Sequence, residues 1–73
     1  MPRLRILSAG QVCDILQRHG FIRSRQSGSH IVMRKQAGDG GRTVIVPNHS
    51  EIRRGTLKSI VEQSGLSRSL FMS

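Results

Sequence analysis

Residues 21–46 of the chain read FIRSRQSGSHIVMRKQAGDGGRTVIV. A first strand is predicted from Phe21 to Gln26, and Ser27-Gly28 has the composition of a tight turn. The apolar run of residues 31–33 then supplies the second strand of a β-hairpin. The stretch from Lys35 to Gly41 is rich in glycine, which is typical of a loop.

The residues that follow this loop predict a third strand. Thr43 to Val46 is the most β-prone run in the chain because three of its side chains are valine or isoleucine and the fourth is threonine. Pro47 has no N–H to donate to a sheet ladder, so the strand is expected to end there. Three consecutive strands joined by short connections predict an antiparallel sheet.

A helix is predicted before the sheet. Ser8, followed three residues later by Gln11, has the form of a capping box, and apolar residues then recur on one helical stripe. We expect this helix from Ala9 to His19, with Gly20 as its stop.

A second helix is predicted after the sheet, from Arg54 to Ser64. Leu57, Ile60 and Val61 have helical spacing, and Gly65 supplies the stop. The tail, Ser67 to Ser73, has room for one short turn, which its sequence leaves undecided. The predicted fold class is therefore α+β, with α-β-β-β-α order and both helices on one face of the sheet.

Composition restricts the protein to one small basic domain. The chain has 73 residues, 12 Lys and Arg against 4 Asp and Glu, and a formal net charge of +8. This charge makes nucleic acid the first class of partner to consider. No apolar run has the length of a membrane span, Met1 to Leu7 lacks the apolar stretch of a secretory signal, and Cys13 is the only cysteine. We therefore expect a cytoplasmic protein with no membrane association.

The three histidines are the side chains best suited to proton transfer near neutral pH. If Ile31 and Met33 face the helices, strand alternation places His30 on the open face of the sheet together with Val32 and Arg34. An exposed strand histidine is nevertheless more often incidental than catalytic. His19, which ends the apolar stripe of the first helix, is read as structural, and His49 as a loop or capping residue.

The sequence favours neither a metal site nor a cofactor site. No two histidines have HxxxH-type spacing, and the four carboxylates fall in separate segments of the chain. Nothing resembles the GxSxG motif of hydrolases. The glycines at 38–41 lack the GxxxxGK[ST] pattern of a phosphate-binding loop.

Two groups of basic residues are candidate phosphate contacts. Their alternative role is solvated surface charge that keeps a small domain soluble. The excess over acidic residues, and the affinity of a helix amino terminus for anions, favour phosphate binding. The strand group comprises Arg23, Arg25, Arg34, Lys35 and Arg42, and the helix group comprises Arg53, Arg54 and Lys58.

Three short motifs occur in order along the chain. They are Gly28-Ser29-His30 after the first strand, Pro47 with His49 after the third, and Gly55-Thr56-Leu57 in the second helix. Together, over Ser8 to Leu66, they resemble the HicA toxins of prokaryotic toxin–antitoxin pairs. One departure is Met33, which stands where an aromatic residue is common in that family.

This resemblance implies a fold like the double-stranded RNA-binding domain, formed by residues 1–73 with a core at about 8–66. It also implies a ribonuclease that cleaves messenger RNA without a metal, with His30 as the catalytic residue. His49 is a possible second proton carrier, though a structural role is as plausible. The implied partner is a HicB-like acidic antitoxin that covers His30 and sets the oligomeric state.

Two other functions fit the same residues. A non-enzymatic RNA-binding module would use the basic groups and His30 as phosphate contacts only. A basic subunit that needs an acidic protein for stability is compatible with either function. Replacing His30 separates the first two, because a binding module would lose affinity while the RNA stays intact in both forms.

Overall fold

The computed structural model describes residues 6–36, 38 and 40–72. The predicted α-β-β-β-α order and three-stranded antiparallel sheet are confirmed. A short 3-10 helix, η1, follows the second helix, so the tail does add one turn. The elements are α1 (Ala9–Arg18), β1 (Ile22–Ser27), β2 (His30–Lys35), β3 (Arg42–Pro47), α2 (Arg54–Ser64) and η1 (Arg68–Phe71).

Most predicted boundaries lie within a residue or two of the observed ones. α1 ends one residue early because His19 forms its C-cap, and the tight turn consists of Gly28 and Ser29 instead of Ser27 and Gly28. Gly28 has a φ of +52°, a left-handed conformation that favours glycine at this position. The bounds of α2 are those predicted.

The predicted capping box fixes the start of α1. The Ser8 hydroxyl accepts a hydrogen bond from the Gln11 N–H at 3.1 Å, and the Gln11 side chain accepts one from the Ser8 N–H at 2.9 Å. Both bonds satisfy N–H groups that the first turn leaves without partners. The helix buries Val12, Cys13 and Leu16 against the sheet side of the core.

The sheet has the order β1-β2-β3, so β2 is its central strand. Ile31 and Met33 of β2, with Val44 and Val46 of β3, are buried in the single core that both helices join. The alternate residues of these strands lie on the opposite face, which no described element covers. This uncovered side is called the open face below.

α2 lies along the free edge of β3. The Gln63 side chain accepts a hydrogen bond from the Ile45 N–H at 3.4 Å, and the Gln63 carbonyl accepts one from the Arg42 guanidinium at 3.3 Å. Because the end of α2 is level with the start of β3, and six residues connect Pro47 to Arg54, α2 runs roughly antiparallel to β3. Its first turn therefore lies toward the end of the sheet where β3 stops.

The tail completes the core. η1 packs against α1, and Phe71 is buried in the core with Phe21. Part of the glycine-rich loop, Ala37 and Asp39, lies outside the described residues. Of the helices in the described part of the chain, none has the length and apolar character of a membrane span.

Candidate functional site

His30 begins the central strand and lies on the open face. Its side chain is exposed, and strand pairing places Ser27 of β1 and Pro47 of β3 directly opposite it. Val32 and Arg34 share this face, as strand alternation predicted. A residue held by hydrogen-bonded strands on both sides has a well-fixed backbone, so the position of the imidazole is set by the sheet.

The turn before His30 is tied to the exit of β3. The Ser29 carbonyl accepts a hydrogen bond of 2.7 Å from the Asn48 N–H, which continues the pairing of β2 with β3 beyond Pro47. The Ser29 hydroxyl lies 3.2 Å from Nδ1 of the His30 ring. Ser29 therefore contacts the imidazole directly, and its own backbone is anchored.

Two arginines share the open face with His30. Arg25 is paired opposite Val32, which makes it the diagonal neighbour of His30, about 7–8 Å away in regular sheet geometry. Arg34 lies four residues along β2, about 13 Å from His30 at the strand rise. Its guanidinium donates a 2.6 Å hydrogen bond to Thr43 of β3. Arg25 is thus the nearer of these two positive charges.

A β-bulge separates Arg23 from Arg25. The pairing of β1 with β2 shifts between these residues, so that Arg23 is opposite the buried Met33, whereas Arg25 is opposite Val32. Arg23 accordingly lies on the helix side, near enough to Cys13 to lower the pKa of its thiol, and its guanidinium donates a 3.3 Å hydrogen bond to Gln26 of β1. Two arginines that strict alternation would place on one face are therefore on opposite faces.

Two further basic residues of the strand group have contacts within the fold. Lys35 lies on the helix side, with its ammonium 5.8 Å from the centre of the Phe21 ring, a cation–π contact. Arg42, opposite Lys35, donates to the Gln63 carbonyl in the last turn of α2, where the helix dipole favours a positive charge. Neither residue lies on the face that carries His30.

The helix group lies at the start of α2. Arg53, Arg54 and Lys58 are exposed, and Arg53 is the N-cap residue without a side-chain cap hydrogen bond. The run of α2 antiparallel to β3 directs this turn toward the end of the sheet that holds His30. Of the third motif, Leu57 is buried in the core, whereas Gly55 and Thr56 are exposed in the first turn.

The other histidines have structural contacts. The His49 carbonyl accepts a 2.9 Å hydrogen bond from the Ala9 N–H, so its backbone holds the start of α1 while its side chain is exposed. Nδ1 of His19 lies 2.9 Å from the Ile15 carbonyl and donates to it at the end of α1. The His19 contact agrees with the structural role predicted for this residue. The loop role predicted for His49 agrees with the hydrogen bond that its main-chain carbonyl accepts from Ala9.

Sequence reasoning did not single out Thr43, which holds Arg34, or Ile22 and Ile45, which are exposed on the open face. Alternation from the buried Val44 places Thr43 and Ile45 on this face, so the signal was present. In the described residues, no three histidine, cysteine or acidic side chains are grouped as metal ligands would be. The metal-free chemistry predicted for the site stays a prediction.

Chemically, the open face offers one exposed imidazole with a hydrogen-bonded Nδ1, a guanidinium at a diagonal position, and further cations toward α2. Such a set suits binding an extended phosphodiester chain and moving one proton within it.

A comparison with protein families finds a match over most of the chain. The family model described as the HicA toxin of bacterial toxin–antitoxin systems matches residues 9–66. This range begins with the first residue of α1, contains the whole sheet, and ends just after α2. None of the curated protein sequences matches the chain.

Proposed function

Because the chain belongs to the HicA toxin family of bacterial toxin–antitoxin systems, we propose that it is an endoribonuclease that cleaves messenger RNA in the cytoplasm without a metal ion or cofactor. His30 is its catalytic residue. The observation that carries the proposal is the placement of His30: an exposed imidazole on the central strand, held by Ser29 and next to Arg25.

The reaction needs one base at a ribose 2′-hydroxyl. Nε2 of neutral His30 takes the 2′-OH proton, and the 2′-oxygen forms a bond to the adjacent phosphorus. The bond from phosphorus to the 5′-oxygen of the next nucleotide breaks, and that oxygen takes a proton from water. The products are a 2′,3′-cyclic phosphate and a 5′-hydroxyl end, and the imidazolium returns its proton to solvent. General base catalysis of this kind contributes about 10²- to 10⁴-fold to the rate.

Positive charge then stabilises the transition state. The phosphorane formed by 2′-oxygen attack carries additional negative charge on its nonbridging oxygens, and a guanidinium placed beside it lowers the barrier. Arg25 is the residue assigned this role because it is the diagonal neighbour of His30 on the open face. Arg34 binds the RNA farther along the strand.

The helix group extends the RNA contact beyond the sheet. Arg53, Arg54 and Lys58 are exposed at the start of α2, which is directed toward the His30 end of the sheet. Each phosphate that they neutralise releases counterions and adds to the salt dependence of binding. RNA binding here is mainly electrostatic because both phenylalanines are buried and the chain has neither Trp nor Tyr for base stacking.

The cognate antitoxin is proposed to be an acidic, HicB-like protein that covers His30. The charge of +8 favours a partner of opposite sign. Covering the open face would block both the imidazole and Arg25, which stops cleavage without altering the toxin.

The test is RNA cleavage by purified protein in the presence of EDTA. The unaltered protein is expected to produce cyclic-phosphate ends, and His30→Ala is expected to leave the RNA intact while binding it with little loss of affinity. His49→Ala is expected to keep its activity, since the contact with α1 uses the main chain. Intact RNA with the unaltered protein would support the alternative, a non-enzymatic binding module, and equal cleavage by His30→Ala would remove His30 from the mechanism.

A further inference from the structure

The open face carries an aliphatic surface as well as a basic one. Among the described residues, the large hydrophobic side chains with the greatest exposure are Ile22 (65%), Ile6 (63%), Ile45 (49%) and Leu70 (36%). Ile22 and Ile45 are both on the open face, and Val32 lies between their strands, half-buried. We call Ile22, Val32 and Ile45 the aliphatic patch.

Arg34 adjoins all three residues of this patch. Ile22 is paired opposite it on β1, Val32 is two residues before it on the same face, and Ile45 is at the diagonal position on β3. Thr43 holds the guanidinium with a 2.6 Å hydrogen bond, which leaves most of its five N–H donors available. The only ion pair within the described residues joins Arg18 to Asp14 on α1, so Arg34 has no carboxylate partner there.

This arrangement is typical of a protein-binding hot spot. Arginine is enriched at such positions, and surrounding apolar groups exclude water and strengthen the ion pair made at the centre. RNA gains little from aliphatic side chains, because it is recognised through phosphates, base edges and aromatic stacking. The exposed isoleucines are therefore not explained by RNA binding.

We propose that the aliphatic patch and Arg34 form the docking site for the acidic antitoxin, with a carboxylate of the antitoxin on Arg34 and apolar side chains on Ile22 and Ile45. The proposal rests on the proposed acidic antitoxin and is independent of the nuclease activity. Charge complementarity with a chain of +8 supports this occupant. A second copy of the toxin is disfavoured, since it would bring Arg25 and Arg34 of two copies together.

Docking at this patch also explains inhibition. Val32 is two residues from His30 on the same face of β2, about 6.6 Å along the strand, and Arg25 is opposite Val32. A protein interface of ordinary size centred on Arg34 also extends over His30 and Arg25. The antitoxin thus contacts the aliphatic patch and Arg34, and in doing so it covers His30 and Arg25.

The experiment measures binding of the cognate antitoxin to toxins that all carry His30→Ala. The test variant is Ile22→Thr with Ile45→Thr, because threonine keeps the β-branched shape that strands favour. The matched control is Ile6→Thr with Leu70→Thr, which removes two exposed aliphatic side chains elsewhere. A third variant, Arg34→Ala, removes the proposed anchor. Thermal unfolding verifies that each variant is folded.

We expect the antitoxin Kd to rise at least tenfold for the test variant and for Arg34→Ala, and to change less than twofold for the control. We expect the test variant to bind a single-stranded RNA oligonucleotide as tightly as its parent. An unchanged antitoxin Kd of the test variant, an equal loss of RNA and antitoxin affinity in the test variant, or a dimer of the unaltered toxin broken by the test variant would each overturn the proposal. If the protein does not cleave RNA, the antitoxin-binding result still holds, so the two proposals can be refuted independently of each other.

Discussion

The hydroxyl of Ser29 lies 3.2 Å from Nδ1 of His30, the residue that follows it in the chain. When Nδ1 carries the proton and donates to this hydroxyl, the lone pair of the neutral imidazole is on Nε2, the nitrogen that points away from the main chain. A general base needs that lone pair free. We therefore predict that Ser29 is a positioning residue, whose hydroxyl accepts from Nδ1–H and so favours the tautomer that the proposed reaction requires.

Replacing Ser29 with alanine is expected to lower kcat without abolishing cleavage. A neutral hydrogen bond contributes about 0.5–1.5 kcal/mol, which corresponds to a rate loss of about 2- to 12-fold. Nitrogen-15 NMR of the imidazole should show the Nδ1–H tautomer in the parent and a shift toward Nε2–H in Ser29→Ala. A parent protein that already has mainly the Nε2–H tautomer would contradict the positioning role.

The β-bulge in β1 gives a matched pair of arginines. Arg25→Ala removes a cation from the open face, whereas Arg23→Ala removes one that lies on the helix side and donates to Gln26. We expect Arg25→Ala to reduce the slope of log K against log salt by about 0.7, the value for one phosphate of single-stranded RNA. Arg23→Ala should leave the slope unchanged.

Fluorescence anisotropy over a series of KCl concentrations measures both slopes, with His30→Ala in the background to keep the RNA intact. Equal slopes for Arg23→Ala and Arg25→Ala would show that the bulge does not separate the two side chains in the complex.

Local patterns predicted the helices, the strands and the open-face set of His30, Val32 and Arg34, because the apolar residues recur with the helix period of 3.6 residues or the strand period of 2. The bulge was not predictable, since it depends on how β1 pairs with β2 and leaves no mark on β1 itself. The sequence also did not predict which basic residues of the strand group lie on the open face and which on the helix side, because this depends on that pairing and on contacts with α2. Similarly, the burial of Phe71 was not predictable, because a single aromatic residue in a short tail forms no periodic pattern.

Gly55 in the first turn of α2 and Gly65 at the C-cap of α2 should respond oppositely to alanine. Gly65 has a φ of +70°, so Gly65→Ala is expected to lower the free energy of unfolding by about 1–2 kcal/mol from the left-handed conformation alone. A Cβ at this position would also lie 2.6 Å from the Arg42 guanidinium carbon. Gly55 is helical with open space around it, and Gly55→Ala should gain about 0.5–1 kcal/mol. Urea unfolding measures both changes, and a shift of the same sign in both variants would contradict this explanation.

The tail is expected to be essential for folding. Phe71 is completely buried and η1 packs against α1, so Phe71→Ala should cost about 3–5 kcal/mol, a large part of the stability of a domain of this size. Phe71→Leu keeps most of the apolar volume and should remain folded with a lower urea midpoint. The control is Leu70→Ala at the exposed neighbour, and circular dichroism follows all three. A Phe71→Ala protein as stable as this control would show that the tail is dispensable.

The thiol of Cys13 makes stability depend on pH in the alkaline range. Burial raises the pKa of Cys13 above its ordinary value of 9.0, and the charge and hydrogen bond of Arg23 only partly oppose this. Between 9.0 and the higher native pKa, the unfolded chain loses the thiol proton while the folded chain keeps it. The contribution to stability is therefore fully present below pH 9 and is lost as pH rises, by at most about 1.4 kcal/mol per pH unit.

Cys13→Ala removes this titration, so the difference in unfolding free energy between the parent and Cys13→Ala should narrow from pH 8 to pH 10. Urea unfolding under reducing conditions at both pH values measures it. Arg23→Ala removes the two effects that lower the pKa, so the native thiol should then react with iodoacetamide still more slowly at pH 9. A constant difference between the parent and Cys13→Ala across this range would mean that the thiol has the same pKa in the folded and unfolded chains.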